Sequence, residues 1–145
     1  NHDSIGLNLK FTDLQAVLGI SQLERINKLI DIKKKNFRLI YELVNNPYLD
    51  VLPNDTEKTT PWFYEISTNF QSELSKWLKT NNIGSRIMYP ELNKQKAFKK
   101  HKQHDYNFPT SQKISKKGLW IPSHPKLSKE DILKIVEVLN KFKPS

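Results

Sequence analysis

Three short stretches hold side chains whose type and placing suit chemistry. In the first, Asn8 and Lys10 stand just ahead of Thr12-Asp13-Leu14-Gln15. The Asn8 amide can donate to a phosphate oxygen without adding charge, and the free N–H groups of a helix start favour anions. An asparagine that serves only a turn would look the same. Lys10 supplies a point charge and not a bidentate fork, and it is one lysine among many. The second stretch carries Arg86, Tyr89, Asn93 and Gln95. Arg86 follows a turn, where its guanidinium could grip a phosphate or a carboxylate. Tyr89 can stack on a sugar or a base and offers a hydroxyl. The Asn93 amide can orient a hydroxyl or carboxylate but cannot shuttle protons near neutral pH. For each of these residues the alternative is plain surface or packing. In the third stretch His124, between Ser123 and Pro125, offers at most a substrate contact. His101 and His104 have a spacing seen in metal sites. They lie in a lysine-rich segment without thiols or a carboxylate pair, which reads as a solvated loop, so no metal is expected. No glycine-rich phosphate loop, Gly-x-Ser-x-Gly elbow or HExxH motif occurs.

Composition narrows the classes. The 145 residues suffice for one domain with a real core, or for a small domain plus a connecting helix. The chain opens on Asn1 and not on Met, so its natural start is expected upstream. No apolar run approaches a membrane span, and the absence of cysteine removes disulfides and thiolate metal sites, in keeping with a cytoplasmic protein. The net charge of +9 could attract nucleic acid or an acidic protein. Yet Arg25, Arg38 and Arg86 are the only arginines, and lysine is spread over every segment. Specific phosphate and base recognition leans on arginine forks, so the excess reads as solvated surface, with neither nucleic acid nor membrane as partner.

The elements that would position these side chains follow from periodicity. Thr12 and Gln15 form a capping box, and apolar residues from Leu14 to Val44 recur at helical spacing until Asn45-Asn46-Pro47. Such a helix would run about 50 Å, and Gly19 and Ser21 mark the expected break. Leu49–Pro53 reads as a short strand, Asn54–Pro61 as a polar loop, and Trp62–Ser67 as an aromatic strand packed in the core. Phe70, Leu74, Trp77 and Leu78 share one face of a helix over Gln71–Thr80, stopped by Asn81-Asn82-Ile83-Gly84. Ser85–Tyr89 should be a strand, Gln95–Lys100 a short helix, and Pro109 the first turn of another helix that ends before Gly118. Leu119–Pro122 is extended. Ser128 and Asp131 cap a last helix whose Ile132, Ile135, Val136, Leu139 and Phe142 face the core. The expected fold class is α/β: a long N-terminal helix and a small α+β domain whose sheet is covered by two principal helices. Residues 1–46 would form the connecting segment and residues 47–145 the small domain.

The run from Gly6 to Arg25, with Asn8, Lys10, Thr12-Asp13, Gln15-Ala16, Gly19 and Gln22-Leu23, resembles a segment of the DegT/DnrJ/EryC1/StrS sugar aminotransferases. Ile83–Gln95 and Phe108–Ser123, with its Gly-Leu-Trp-Ile-Pro-Ser close, resemble two further segments of that family and lean toward its perosamine and viosamine synthase-like branch.

The resemblance implies the C-terminal part of a fold-type I pyridoxal 5'-phosphate enzyme, one that transfers an amino group from an amino acid such as glutamate to a 4-keto-6-deoxy sugar nucleotide. It implies a homodimer with a shared active site, in which Asn8 reaches the cofactor phosphate of the neighbouring subunit. Lys10 stands where many relatives have arginine, and Asn93 where many have histidine. Lys10, Arg86, Tyr89 and Asn93 would meet the substrate. No lysine here stands in a context like that of the family's cofactor lysine, so these residues alone are expected to lack transaminase activity.

Overall fold

A computed structural model describes residues 11–100 and 106–145. Helix α1 (Asp13–Leu23) starts at the expected capping box. The Thr12 hydroxyl accepts the Gln15 N–H, and Gln15 Oε1 takes the Thr12 N–H at 3.0 Å. Helix α2 (Ile26–Leu43) follows after a break. That break falls at Glu24–Arg25 and not at Gly19 or Ser21, which stay helical. A helical glycine costs only about 1 kcal/mol, too little to force an interruption. At the break the Arg25 guanidinium turns back onto Gln22 Oε1.

Strands β1 (Asp50–Val51), β2 (Tyr64–Ser67), β3 (Arg86–Ile87) and β4 (Gly118–Ile121) form one antiparallel sheet in the order β1-β2-β4-β3. Helix α3 (Gln71–Thr80) spans the expected residues. Its stop is a Schellman motif: Ile83 N–H reaches Leu78 O at 2.9 Å, and Asn82 N–H reaches Lys79 O at 3.1 Å. The left-handed position is Asn82, with φ 58°, while Gly84 has no positive φ.

The helix expected over Gln95–Lys100 is replaced by two 3-10 turns, Leu92–Lys94 and Lys96–Phe98. The segment has no apolar period to bury, so nothing sustains a longer helix. Helix α4 (Pro109–Lys117) leads directly into β4. The last helix, α5 (Lys129–Lys141), carries the second capping box, with Ser128 N–H and Oγ on Asp131 Oδ2, both at 2.9 Å.

One core joins these elements. Tyr64, Ile66, Leu119 and Ile121 cover one sheet face and meet Leu74 and Leu78 of α3 and Ile132, Ile135, Val136 and Leu139 of α5. Each such side chain contributes about 1.5–3 kcal/mol on full burial. Helix α2 is a third covering helix, through Phe37 and Ile40. Polar clasps fix its place: Asn36 Nδ2 donates to Leu127 O, and buried Asn46 donates to both Leu139 O and Phe142 O. By contrast Leu14, Val17, Leu18 and Leu23 of α1 are exposed.

Candidate functional site

The register of the sheet builds the site. Side chains alternate across a strand, so with Tyr64, Ile66, Leu119 and Ile121 in the core, their neighbours face the other side. Glu65 pairs with Trp120 and Trp120 with Arg86, which places an acid, an indole and a guanidinium in one row across three strands. Trp120 Nε1 donates to Glu65 Oε1 at 3.2 Å. The Phe63 ring stacks on Trp120 with centroids 4.4 Å apart and planes 17° apart, and Tyr89 meets it edge-on at 4.8 Å. Arg86 lies over this shelf, its guanidinium carbon 5.0 Å from the Tyr89 ring centre and 5.7 Å from that of Trp120. Such contacts are worth about 0.5–1 kcal/mol each at exposed sites, enough to orient a side chain without occupying its N–H donors. Among the described residues the Arg86 side chain makes no hydrogen bond or ion pair.

Trp62 extends the aromatic row, 6.1 Å from Phe63, and is 77% exposed. The core packing expected for the whole aromatic stretch therefore fails at this residue. Strand β2 begins only at Tyr64, so Trp62 lies before the alternation that would bury it. Its backbone is nonetheless held firmly. The Trp62 carbonyl accepts Lys33 Nζ at 2.7 Å and Ser123 Oγ at 3.0 Å. The Tyr64 hydroxyl in turn donates to the Lys33 carbonyl at 2.8 Å, bolting α2 to β2. Partial burial lowers the Lys33 ammonium below its ordinary pKa. The same burial raises the Tyr64 phenol, which stays a donor.

Lys33, Trp62, Arg86, Ser123 and His124 thus border a shallow groove floored by Phe63 and Trp120. His124 Nδ1 accepts the Lys126 N–H, which leaves Nε2 to carry the proton of the neutral ring. Among the described residues no carboxylate lines the groove.

Of the residues expected to act, Arg86 and Tyr89 come together here. Asn93 lies in the first 3-10 turn and donates to Tyr106 O at 3.1 Å, tying that turn to the segment before α4. Asn8, Lys10, His101 and His104 lie outside the described residues. Trp62, Trp120 and Lys33 were not singled out from sequence. For Trp120 a signal existed: in Leu119-Trp120-Ile121, alternation puts the indole opposite two core residues. For Lys33 no local signal exists.

A second, more enclosed cavity lies at the opposite end of the β2–β4 pair, between Tyr48, Phe70 and the α4 lysines Lys113 and Lys117, with Asp50 at its edge. None of the described residues expected from sequence to bind or react borders it. Among the described residues no His, Asp and Glu group is placed to hold a metal ion, and no helix is long and apolar enough to cross a membrane.

Comparison with known proteins adds to this geometry. The model of the DegT/DnrJ/EryC1/StrS aminotransferase family matches residues 1–140. The lipopolysaccharide biosynthesis protein RfbH of Salmonella typhimurium is 31% identical over 97% of the chain, which covers 35% of that relative. A GDP-perosamine synthase of Escherichia coli is 30% identical over 97% of the chain, which covers 39% of it. A crystal structure of a sugar aminotransferase from Micromonospora echinospora superposes with a TM-score of 0.82 at 14% identity, over 93% of this chain and 36% of that one, a likeness of fold. The chain spans between a third and two fifths of the length of the curated relatives it matches.

Proposed function

The chain belongs to the DegT/DnrJ/EryC1/StrS aminotransferase family, and on that premise we propose that it forms the C-terminal part of a sugar-nucleotide aminotransferase. The enzyme would move an amino group from an amino acid, glutamate in our reading, to a 4-keto-6-deoxy sugar nucleotide destined for polysaccharide assembly. The observation that carries this is Arg86: a guanidinium held over Tyr89 and Trp120, free of any carboxylate partner among the described residues, at the edge of a cationic groove. A substrate with a negative charge and flat or ring-shaped parts suits that arrangement.

Pyridoxal 5'-phosphate, when bound, supplies the electron sink for amino transfer. The described residues suit the wall of such a site and not its centre, since the groove is shallow and the Lys33 ammonium lies on the Trp62 carbonyl. Their part is to bind and orient: Arg86 holds an anionic group, Tyr89 steers a ring or hydroxyl, and Lys33 adds positive charge. Asn8 would contact the cofactor phosphate across a homodimer interface, and Lys10 the anionic substrate. Asn93, an amide, would orient a substrate hydroxyl without exchanging protons. In this reading the 145 residues alone carry no transaminase activity, and the protein works in the cytoplasm.

The test is a visible absorption spectrum of the full-length gene product, purified without added cofactor. A yellow band that bleaches on adding glutamate is the expected result. No band, even after adding pyridoxal 5'-phosphate, would overturn the catalytic reading and leave a non-catalytic relative or a basic binding module.

A further inference from the structure

We propose that the groove from Trp62 to Arg86 receives the nucleoside diphosphate half of the substrate, with the Trp62 indole stacking on the base and Arg86 gripping the phosphates. The proposal rests on the sugar-nucleotide reading above and assigns a base-stacking residue to it. Two features of the groove carry it.

The first is the mounting of Trp62. The Trp62 indole is 77% exposed, and its own carbonyl is fixed by both Lys33 Nζ and Ser123 Oγ. The base of a nucleotide offers a π-face to such a platform whatever its identity.

The second is the arrangement of charge. Lys33 and Arg86 line the groove beside His124, and among the described residues no Asp or Glu does. Glu65, on the same sheet face as Arg86, takes the indole N–H of Trp120. Lys33 keeps two of its three N–H donors after binding the Trp62 carbonyl. A free amino acid would bring its own ammonium among these cations and has no flat ring to place on the indole. A nucleoside diphosphate joins a flat base to two phosphates through a sugar, as the groove joins an aromatic ledge to cations. Arg86, which among the described residues is fixed by ring faces and not by hydrogen bonds, can turn its fork to the phosphates without giving up any of these partners.

The experiment is calorimetric titration of the full-length gene product with GDP, UDP and inorganic pyrophosphate as probes, in wild type, Trp62→Ala, Trp62→Phe and Arg86→Ala. Trp62→Ala should weaken the nucleoside diphosphate bound by wild type about tenfold or more, the usual effect of removing one base-stacking ring. Trp62→Phe should restore most of that loss, and pyrophosphate affinity should not respond to either change. Arg86→Ala should weaken nucleoside diphosphate and pyrophosphate alike. If wild type binds neither nucleoside diphosphate, the sugar-nucleotide reading and this placement fall together. If Trp62→Ala binds as wild type does, the placement alone falls. A lower thermal midpoint or lost subunit association in Trp62→Ala, with unchanged nucleotide affinity, would assign the indole to a protein contact and also overturn the placement.

Discussion

Asn46 is the sharpest test of how the helices are held. Its side chain is buried, with Nδ2 donating to Leu139 O and Phe142 O, both at 2.8 Å, and Oδ1 accepting the Tyr48 N–H at 2.9 Å. One amide therefore joins the end of α2 to the end of α5 and starts the turn toward β1. Each neutral hydrogen bond contributes about 0.5–1.5 kcal/mol, and a buried group left without a partner costs about 1–3 kcal/mol. Leu139 O also accepts the Phe142 N–H, so it is not fully orphaned by a truncation. Asn46→Ala should then destabilise by about 2–4 kcal/mol, a large share of the roughly 5–15 kcal/mol typical of a domain.

Asn46→Asp keeps the shape and the acceptor but turns a carboxylate toward two carbonyl oxygens. Its folded pKa should rise above the unfolded value of about 3.9, so the native state of the variant binds more protons than the unfolded state. Its deficit relative to wild type is then largest near neutral pH and shrinks as pH falls through the raised folded value, because the proton restores a donor. Urea unfolding at pH 7 and pH 5 reads both effects, since the midpoint moves with stability at fixed slope. An Asn46→Ala midpoint within about 0.5 kcal/mol of wild type, or an Asn46→Asp deficit that ignores pH, would refute the clasp.

Other consequences are equally direct. Asn82→Gly should stabilise and Asn82→Val destabilise in thermal melts, the latter by about 1–2 kcal/mol, because the residue sits at φ 58°. A Cβ at Gly118 would stand 2.7 Å from the Ile114 carbonyl and 2.9 Å from Met88 Sδ. Gly118→Ala should therefore cost about 1–3 kcal/mol by urea unfolding, and adding Met88→Ala should recover only part, since the carbonyl is backbone. Ser128→Ala should cost about 0.5–2 kcal/mol by removing the cap of α5. Hydrogen bonds from the Ser128 N–H and hydroxyl hold the Asp131 carboxyl below its usual range. Its contribution is present above the unfolded pKa and lost as pH falls through the folded one, so Asp131→Asn should flatten the acid limb of the stability profile.

Much of the fold was legible because its signals are local. Thr12 with Gln15, and Ser128 with Asp131, announce helix starts through bonds spanning three residues, and the apolar face of α3 ends at a run of turn formers. Where the local signal was weak the reading slipped. Gly19 suggested a break that the chain makes at Glu24–Arg25, and Gln95–Lys100 suggested a helix where two 3-10 turns stand. The α1 leucines carry a helical period, yet a period does not say what covers it, and Leu14, Val17, Leu18 and Leu23 are exposed.

By itself, then, the sequence determined most of the element types, most of the core, and Arg86 and Tyr89 as candidates, since propensity, capping and periodicity act within a few residues. Tertiary structure alone decided that Trp120 carries Arg86 and Tyr89 on one side of the sheet, that Trp62 stands out in solvent, and that Lys33, twenty-nine residues away in sequence, holds its carbonyl. Those relations depend on the order and register of strands far apart in the chain. A one-residue slip in β4 would turn Trp120 into the core, and no local preference forbids that; only the joint packing of β2, β4, α3 and α5 does.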